Sequence, residues 1–270
     1  MSVVTISRGS FSGGKLLAEC LAGKLGYRCV DRDVIVEKAA ASGVSQKELL
    51  DALQNPPTFL DRFTHKKYLY LTLIQAALTE EVRGGRVVYH GNAGHLLLKG
   101  GSPVLRVRII APLRLRVGMA RKRLGYNEQE AIDYIEKMDQ SRRKWTQYLY
   151  GEDWTDPALY DMVINLEHVE IADACDAITT LIKAQKCFDY GPECQASMNN
   201  LALASQVKAK LALDSETAHL EFDVRARDGA VRLHGKVPSP DLVPVIERIA
   251  RSVPGVQELN LDEVAPAPKF

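Results

Sequence analysis

The chain has 270 residues, and its 35 lysines and arginines nearly balance 34 aspartates and glutamates, giving a formal net charge of +1. This length suits one large and one small domain, and the balanced charge favours neither nucleic acid nor a membrane surface as a partner. Without an apolar run of about 18 residues or a leader, we expect a cytoplasmic protein. Five cysteines without Cys-x-x-Cys spacing agree with a reducing compartment.

The N-terminus predicts a strand, a glycine-rich loop and a helix in direct succession. An apolar run at residues 3–7 predicts the strand, and an amphipathic segment at residues 16–25 predicts the helix. Between them, Gly9, Gly14 and Lys15 fit the G-x-x-x-x-G-K spacing of a phosphate-binding loop. Backbone N–H groups of such a loop surround a polyphosphate, while the helix N-terminus and the lysine add positive charge.

The predicted nucleotide-binding residues are the loop and its flanks. They are Arg8, Gly9, Ser10, Ser12, Gly13, Gly14, Lys15 and Leu16. Leu16 stands where a serine or threonine usually holds Mg²⁺, so the protein ligands of a metal stay unassigned. The alternative to a phosphate-binding loop is a glycine-rich turn that binds no ligand.

Strand-like runs alternate with helical patterns up to residue 187. Further strands are predicted at residues 27–30, 86–90, 104–110 and 161–165. Helices are predicted at residues 33–41, 45–54, 59–83, 112–124, 127–148 and 169–186. Such alternation predicts an α/β fold, a parallel sheet covered by helices on both faces. Ligands of such sheets bind at the carboxyl ends of the strands.

The motifs of this part resemble the cytidylate-kinase-like family, which has the P-loop fold of nucleoside monophosphate kinases. The matching residues are Ile6-Ser7-Arg8, Gly13-Gly14, Asp31-Arg32, Asp139, Arg142, Tyr148, Asp153-Trp154, Asp156-Pro157 and Tyr160-Asp161. The resemblance implies phosphoryl transfer from ATP, with Mg²⁺, to a nucleoside monophosphate such as CMP or dCMP. The family's Gly-Arg-Gly arginine is absent from residues 90–95, unless His90 or His95 takes its place.

The resemblance also implies roles for charged residues. Lid arginines that neutralise the transferring phosphoryl group are expected at the end of one helix and in the next, and with Lys15 they form the expected catalytic set. These arginines are Arg121, Arg123, Arg142 and Arg143. The acceptor side is expected to contain Asp31, Arg32, Asp33, Gly91 and Asn92. A solvated helix face is the alternative for each lid arginine, and a helix N-cap is the alternative for Asp31.

The end of the chain resembles a BON domain, a small α/β module. We expect a first domain at residues 1–187, a polar linker at 188–198 and the BON domain at 199–265. Its helices are predicted at residues 201–213 and 241–251, and its strands at 220–227, 230–237 and 256–261. We expect this module to fold separately, with few core contacts across the boundary.

Two functions of different classes follow from these patterns. One is ATP-dependent phosphorylation of a nucleoside monophosphate or a related small acceptor. The alternative is a nucleotide sensor without turnover, signalling through the BON domain to a protein or small molecule, which Leu16 and the missing arginine favour. In a third interpretation the BON domain is primary and the kinase-like domain is a degenerate scaffold. The acceptor and the oligomeric state are not predicted.

Overall fold

A five-stranded parallel sheet forms the centre of the first part of the chain in the computed structural model, which describes residues 3–54, 66–91, 93–101, 103–184 and 191–266. Its strands are β1 Val3–Arg8, β2 Arg28–Asp31, β3 Val87–His90, β4 Val104–Ile110 and β5 Met162–Asn165. They lie in the order β2-β3-β1-β4-β5, and every pairing is parallel. The order places β1, and the loop that follows it, at the middle of the sheet.

Helices cover both faces of this sheet. They are α1 Gly14–Leu25, α2 Arg32–Ala40, α3 Gln46–Gln54, α4 Lys66–Val82, α5 Gly94–Leu97, α6 Leu113–Leu124, α7 Glu128–Tyr150 and α8 Ile171–Ala184. Val3 and Val4 of β1 belong to two different buried clusters, because successive side chains of a strand point to opposite faces. The predicted α/β fold is therefore confirmed, and residues 59–65 of the predicted long helix lie outside the described residues.

The C-terminal part has a second, three-stranded sheet. Its elements are α9 Pro192–Leu213, β6 Phe222–Arg227, β7 Ala230–Val237, α10 Leu242–Arg251 and β8 Glu258–Pro266. Strand β7 pairs antiparallel with β6 and parallel with β8. Alternating exposure along β7 shows that one face of the sheet is covered, and side chains of α9 and α10 complete that core.

The start of α9 differs from the prediction. Residues 192–198 were expected in a linker and the helix from residue 201, but α9 begins at Pro192. A proline suits the first position of a helix, where its missing N–H needs no partner. Met198 in the second turn is fully buried against the core of the first part, which holds this segment as helix.

Helix α9 belongs to both cores. Met198 and Ala209 pack in the first part, whereas Val207 and Leu211 pack in the C-terminal part. The expectation of few core contacts across the boundary is therefore wrong, because one helix supplies side chains to both cores. Among the described residues, no helix is both long enough and apolar enough to cross a bilayer.

Candidate active site

The glycine-rich loop connects β1 to α1 at the carboxyl edge of the sheet. Gly13 is the N-cap of α1, and its φ of 85° lies in the left-handed region that favours glycine. The hydroxyl of Ser12 donates to the carbonyl oxygen of Gly9 at 3.0 Å, which closes the loop on itself. The backbone of the loop therefore bends sharply just before the N-terminus of α1, as the motif predicts.

Gly14 allows a close approach by Arg8. A Cβ atom at position 14 would overlap the Cδ atom of Arg8, so the arginine side chain crosses the N-terminal end of α1. Burial lowers the pKa of Arg8, and the neighbouring cations Arg32 and Arg123 lower it further. This electrostatic environment disfavours the positive charge of Arg8 unless an anion is present.

A cavity of about 300 Å³ lies over the N-terminus of α1 and is called the loop cavity below. Strands β1, β2 and β3 end beside it, since Ile6 and Asp31 both align with His90 in the sheet. From the predicted nucleotide-binding set it brings together Arg8, Ser10, Gly13, Gly14, Lys15 and Leu16. From the acceptor and lid sets it adds Asp31, Arg32, Asp33, Gly91, Arg123 and Arg142. Asn92 lies outside the described residues.

Positive charge exceeds negative charge around the loop cavity. Its cationic lining residues are Arg8, Lys15, Arg32, Arg123 and Arg142, and its acidic lining residues are Asp31 and Asp33. Burial lowers the pKa of Arg142 to about 10; Asp139 opposes this shift, whereas repulsion from other arginines adds to it. The Nη1 atom of Arg142 donates to the carbonyl oxygen of Arg8 at 3.0 Å, which holds the guanidinium group at the loop.

Both carboxylates at the loop cavity already have partners. The Oδ1 atom of Asp31 accepts the N–H groups of Asp33 and Val34, each at 3.0 Å, and so caps α2. Asp33 forms an ion pair with Arg32 at 3.2 Å. Asp31 is therefore the helix N-cap, which was the alternative role considered for it. Both capping bonds use Oδ1, so Oδ2 takes no part in the cap.

Asp139 of α7 joins helices α6 and α7 to the loop. Its carboxylate accepts the N–H of Ser10 at 3.2 Å and the Nη2 of Arg116 at 2.5 Å. Arg116, from α6, also donates through Nε to the carbonyl oxygen of Ser10 at 2.8 Å. Sequence reasoning missed Arg116, although its spacing of seven residues from Arg123 places both on one face of α6. That spacing was the available signal.

Two of the predicted lid arginines do not line the loop cavity. Arg121 is exposed in the last turn of α6. Arg143 forms an ion pair with Asp153 at 3.4 Å and lines a different cavity. Neighbouring residues in a helix point about 100° apart, so Arg142 and Arg143 face different sides of α7.

The second cavity, of about 810 Å³, lies against the other side of α7 and is called the α7 cavity. Gly9 and Ser12 of the loop line it rather than the loop cavity. Ile109 and Ile110 at the end of β4 form part of its wall. Its cationic lining residues are Arg108, Arg116, Lys137 and Arg143. The glycine-rich loop therefore has a cavity on each side.

Neither histidine considered as a substitute for the missing arginine is in an environment that favours its charged form. His90 lines the loop cavity, and burial, together with the nearby charge of Arg8, lowers its pKa. His95 is buried with its ring 4.7 Å from that of Tyr160, and burial lowers its pKa to about 4. At neutral pH the positive charge of the site therefore comes from arginine and lysine.

Comparison with known proteins gives relatives for both parts. A model of the cytidylate kinase-like family matches residues 3–168, and a model of the BON domain matches residues 199–263. Cytidylate kinase from Ignicoccus hospitalis is 31% identical over 169 residues, which are 61% of this chain and 90% of that protein. Cytidylate kinase from Pyrococcus horikoshii is 27% identical over 164 residues, which are 60% of this chain and 79% of that protein.

A solved structure of an uncharacterized protein from Eubacterium ventriosum shares the fold. Its TM-score is 0.55 at 17% sequence identity, and the match covers 68% of this chain and 99% of that one. The family model covers more than half of the present chain. The two family models show that the chain belongs to the cytidylate kinase-like family and carries a BON domain behind its kinase-like part.

Proposed function

We propose that this protein transfers a phosphoryl group from ATP to a nucleoside monophosphate, with CMP or dCMP as the first candidates. The observation that carries the proposal is the excess of cations in the loop cavity at the N-terminus of α1. Charge of this sign and position suits phosphate groups. The relatives named cytidylate kinase support a cytosine nucleotide as acceptor. This proposal also implies a cytoplasmic location, where ATP is available.

Each group of residues has a separate task in this proposal. Backbone N–H groups of the loop, with Lys15, bind the donor phosphates. Arg123 and Arg142 neutralise charge on the phosphoryl group in transfer, when positioned cations have their largest effect. Asp31, Arg32, Asp33 and Gly91 line the acceptor side of the cavity. Asp139 and Arg116 fix the lid helices to the loop.

Mg²⁺ would accompany ATP, and its ligands would come mostly from phosphate and water. Among the described residues, no three histidine, cysteine or acidic side chains are grouped closely enough to hold a metal. Leu16 supplies no hydroxyl, so the second oxygen of Asp31 is the protein ligand that fits best. When bound, the metal would neutralise charge on the donor phosphates.

The α7 cavity is the proposed site of the donor nucleoside. It begins at Gly9 and Ser12, in the same loop that would bind the phosphates, and isoleucines of β4 line part of it. Polar and charged side chains line most of the rest of the cavity, and the apolar part of its wall suits the face of a base. The Asp139–Arg116 pair lies between the two cavities and lines the α7 cavity.

A coupled assay of ADP release with each nucleoside monophosphate tests this function. We expect turnover with CMP or dCMP, and loss of Arg142 should lower kcat about 10- to 1000-fold with a smaller change in the KM for ATP. Arg121→Ala is the matched control, since Arg121 is exposed and lines neither cavity. Equal kcat in wild type and Arg142→Ala would contradict the assignment of Arg142.

A nucleotide sensor is the second candidate, and Leu16 is the observation that favours it. Without a hydroxyl at this position the chain lacks a usual Mg²⁺ ligand. We expect this loss to affect phosphoryl transfer more than ATP binding. In this case the BON domain passes the nucleotide signal to a protein or small-molecule partner. Saturable ATP binding without ADP release for any acceptor would favour the sensor over the kinase.

A further inference from the structure

A third, smaller cavity shares part of its wall with the loop cavity, and we call it the Trp154 cavity. Its volume of about 10 Å³ is enough for one water-sized atom and too small for a phosphate or carboxylate group. Arg8 and Arg142 line both cavities. His95 and Trp154, which are only 6% and 5% exposed, line the small one as well.

Five polar atoms in these four residues lack a hydrogen-bond partner within the protein. The atoms are Arg8 Nε, Arg142 Nε, Trp154 Nε1, His95 Nδ1 and His95 Nε2, and each is buried. Buried polar atoms in folded proteins nearly always have a partner, so several orphans around one cavity indicate an occupant.

The unpartnered atoms are mostly donors. The arginine Nε and the indole Nε1 can only donate, and a neutral histidine has one donor and one acceptor. The described residues that line this cavity include neither aspartate nor glutamate. A water molecule accepts about two hydrogen bonds and must also place its own two hydrogens, so it cannot satisfy four donors. A monatomic anion can accept from all of them.

We propose that the Trp154 cavity binds a single monatomic anion of the halide class. The N–H groups of Arg8, Arg142, Trp154 and His95 hold it, and the two guanidinium groups balance its charge. An anion at this point also reduces the repulsion between Arg8 and Arg142, because it lies against both of them. The halide therefore helps to hold Arg142 in place at the loop.

Thermal unfolding of the full chain tests the proposal, with sodium chloride and sodium bromide compared against sodium gluconate at equal ionic strength. Gluconate is too large for the cavity, so a halide that binds the folded state alone should raise the midpoint by a few degrees. Trp154→Phe keeps a ring but removes the donor, and this variant should lose the halide-specific rise. Because general salt effects act on both proteins, the difference between them isolates the site.

Trp145→Phe is the matched control. Trp145 also lines the cavity, but its Nε1 donates to the carbonyl oxygen of Ala52 at 2.8 Å. This variant should keep the halide-specific rise in midpoint. The same shift in wild type and Trp154→Phe would overturn the proposal.

Anomalous diffraction from crystals of the unaltered chain grown with bromide gives a second measurement, which does not depend on any variant folding. A bromide peak between Arg8, Arg142 and Trp154 is the expected result. A water molecule or empty density in the cavity, without an anomalous peak, would overturn the proposal.

Discussion

The loop cavity and helix α4 differ in how well their charged side chains are balanced by partners of opposite charge. At the loop cavity, five cationic side chains face two carboxylates that already have partners. On α4, Glu81 is only 7% exposed and forms ion pairs with both Arg28 and Lys38. Burial alone would raise the pKa of Glu81, but hydrogen bonds from Lys38 and Arg28 lower it below its ordinary range.

The difference separates charges that hold the fold from charges suited to binding a ligand. A buried ion whose partners are present stabilises the native state, whereas cations in excess repel one another until an anion arrives. Removing a charge on α4 should therefore lower stability, and removing one at the loop cavity should change binding and turnover. Helix α9 also holds the fold, through apolar packing rather than charge, because it packs against the first part and closes its core. Its removal should therefore lower stability as well.

Deletion of residues 192–270 should have the largest effect. This truncation removes α9 and uncovers the core around Met198 and Ala209, so we expect a loss of at least about 5 kcal/mol, comparable with the whole stability of a domain. The fragment should aggregate or lack a cooperative thermal transition. A fragment that unfolds cooperatively near the wild-type midpoint and still binds ATP would show that the first part is independent of α9.

Glu81→Gln should have a moderate effect. Arg28 and Lys38 are more than half exposed and can be hydrated, so we expect a loss of about 1–2 kcal/mol rather than the full penalty for a buried unpaired charge. ADP release at low temperature should stay unchanged, because Glu81 does not line the loop cavity. Urea unfolding measures the loss, and an unchanged midpoint would contradict the structural role of these two ion pairs.

The pH dependence of stability sharpens the same comparison. The folded-state pKa of Glu81 is lowered, so its contribution is present above the ordinary glutamate pKa and is lost as the pH falls through the folded-state value. Wild type should therefore lose more stability than Glu81→Gln over this acidic range. Parallel curves for the two proteins would show that Glu81 does not titrate as the ion pairs require.

Tyr68→Phe should have the smallest effect. The Tyr68 hydroxyl accepts from the N–H of Phe222 at 3.2 Å and donates to its carbonyl oxygen at 3.4 Å, which links α4 to β6. Loss of these bonds should cost about 1 kcal/mol, while the ring keeps its contact with Lys208. Thermal unfolding measures this loss. A change in kcat larger than the change in stability would mean that the link also acts on the site.

Local patterns predicted much of the fold, and long-range contacts account for most differences. The strands and the glycine-rich loop follow from apolar runs and from spacing, which the structure keeps. The early start of α9 depends on Met198 packing into a core formed by distant parts of the chain, and the polar residues around Met198 gave no sign of this. Arg116 was missed for the same reason, since its partner Asp139 lies on another helix.

Adjacent arginines also show the limit of sequence reasoning. Arg142 and Arg143 look equivalent in the sequence, yet Arg142 reaches the loop and Arg143 pairs with Asp153. The sequence does not tell which side of α7 faces the loop. A known contact, such as that of Asp139 with Ser10, is needed to see that Arg142 lies on that side and Arg143 does not. The lid arginines implied by the family resemblance therefore included residues that line the loop cavity and an exposed one, Arg121.

The most direct test of the central claim is binding of a bisubstrate ligand in which cytidine and adenosine are joined by a polyphosphate chain. Calorimetric titration should show tight one-to-one binding to the full chain. Lys15→Ala and Arg142→Ala should each weaken binding by at least about tenfold, or about 1.4 kcal/mol, and Lys15→Ala should do so without lowering thermal stability, whereas Arg121→Ala should bind as wild type does. Absence of binding to the wild type, or equal affinity in all four proteins, would contradict the claim that the cations of the loop cavity bind nucleotide phosphates.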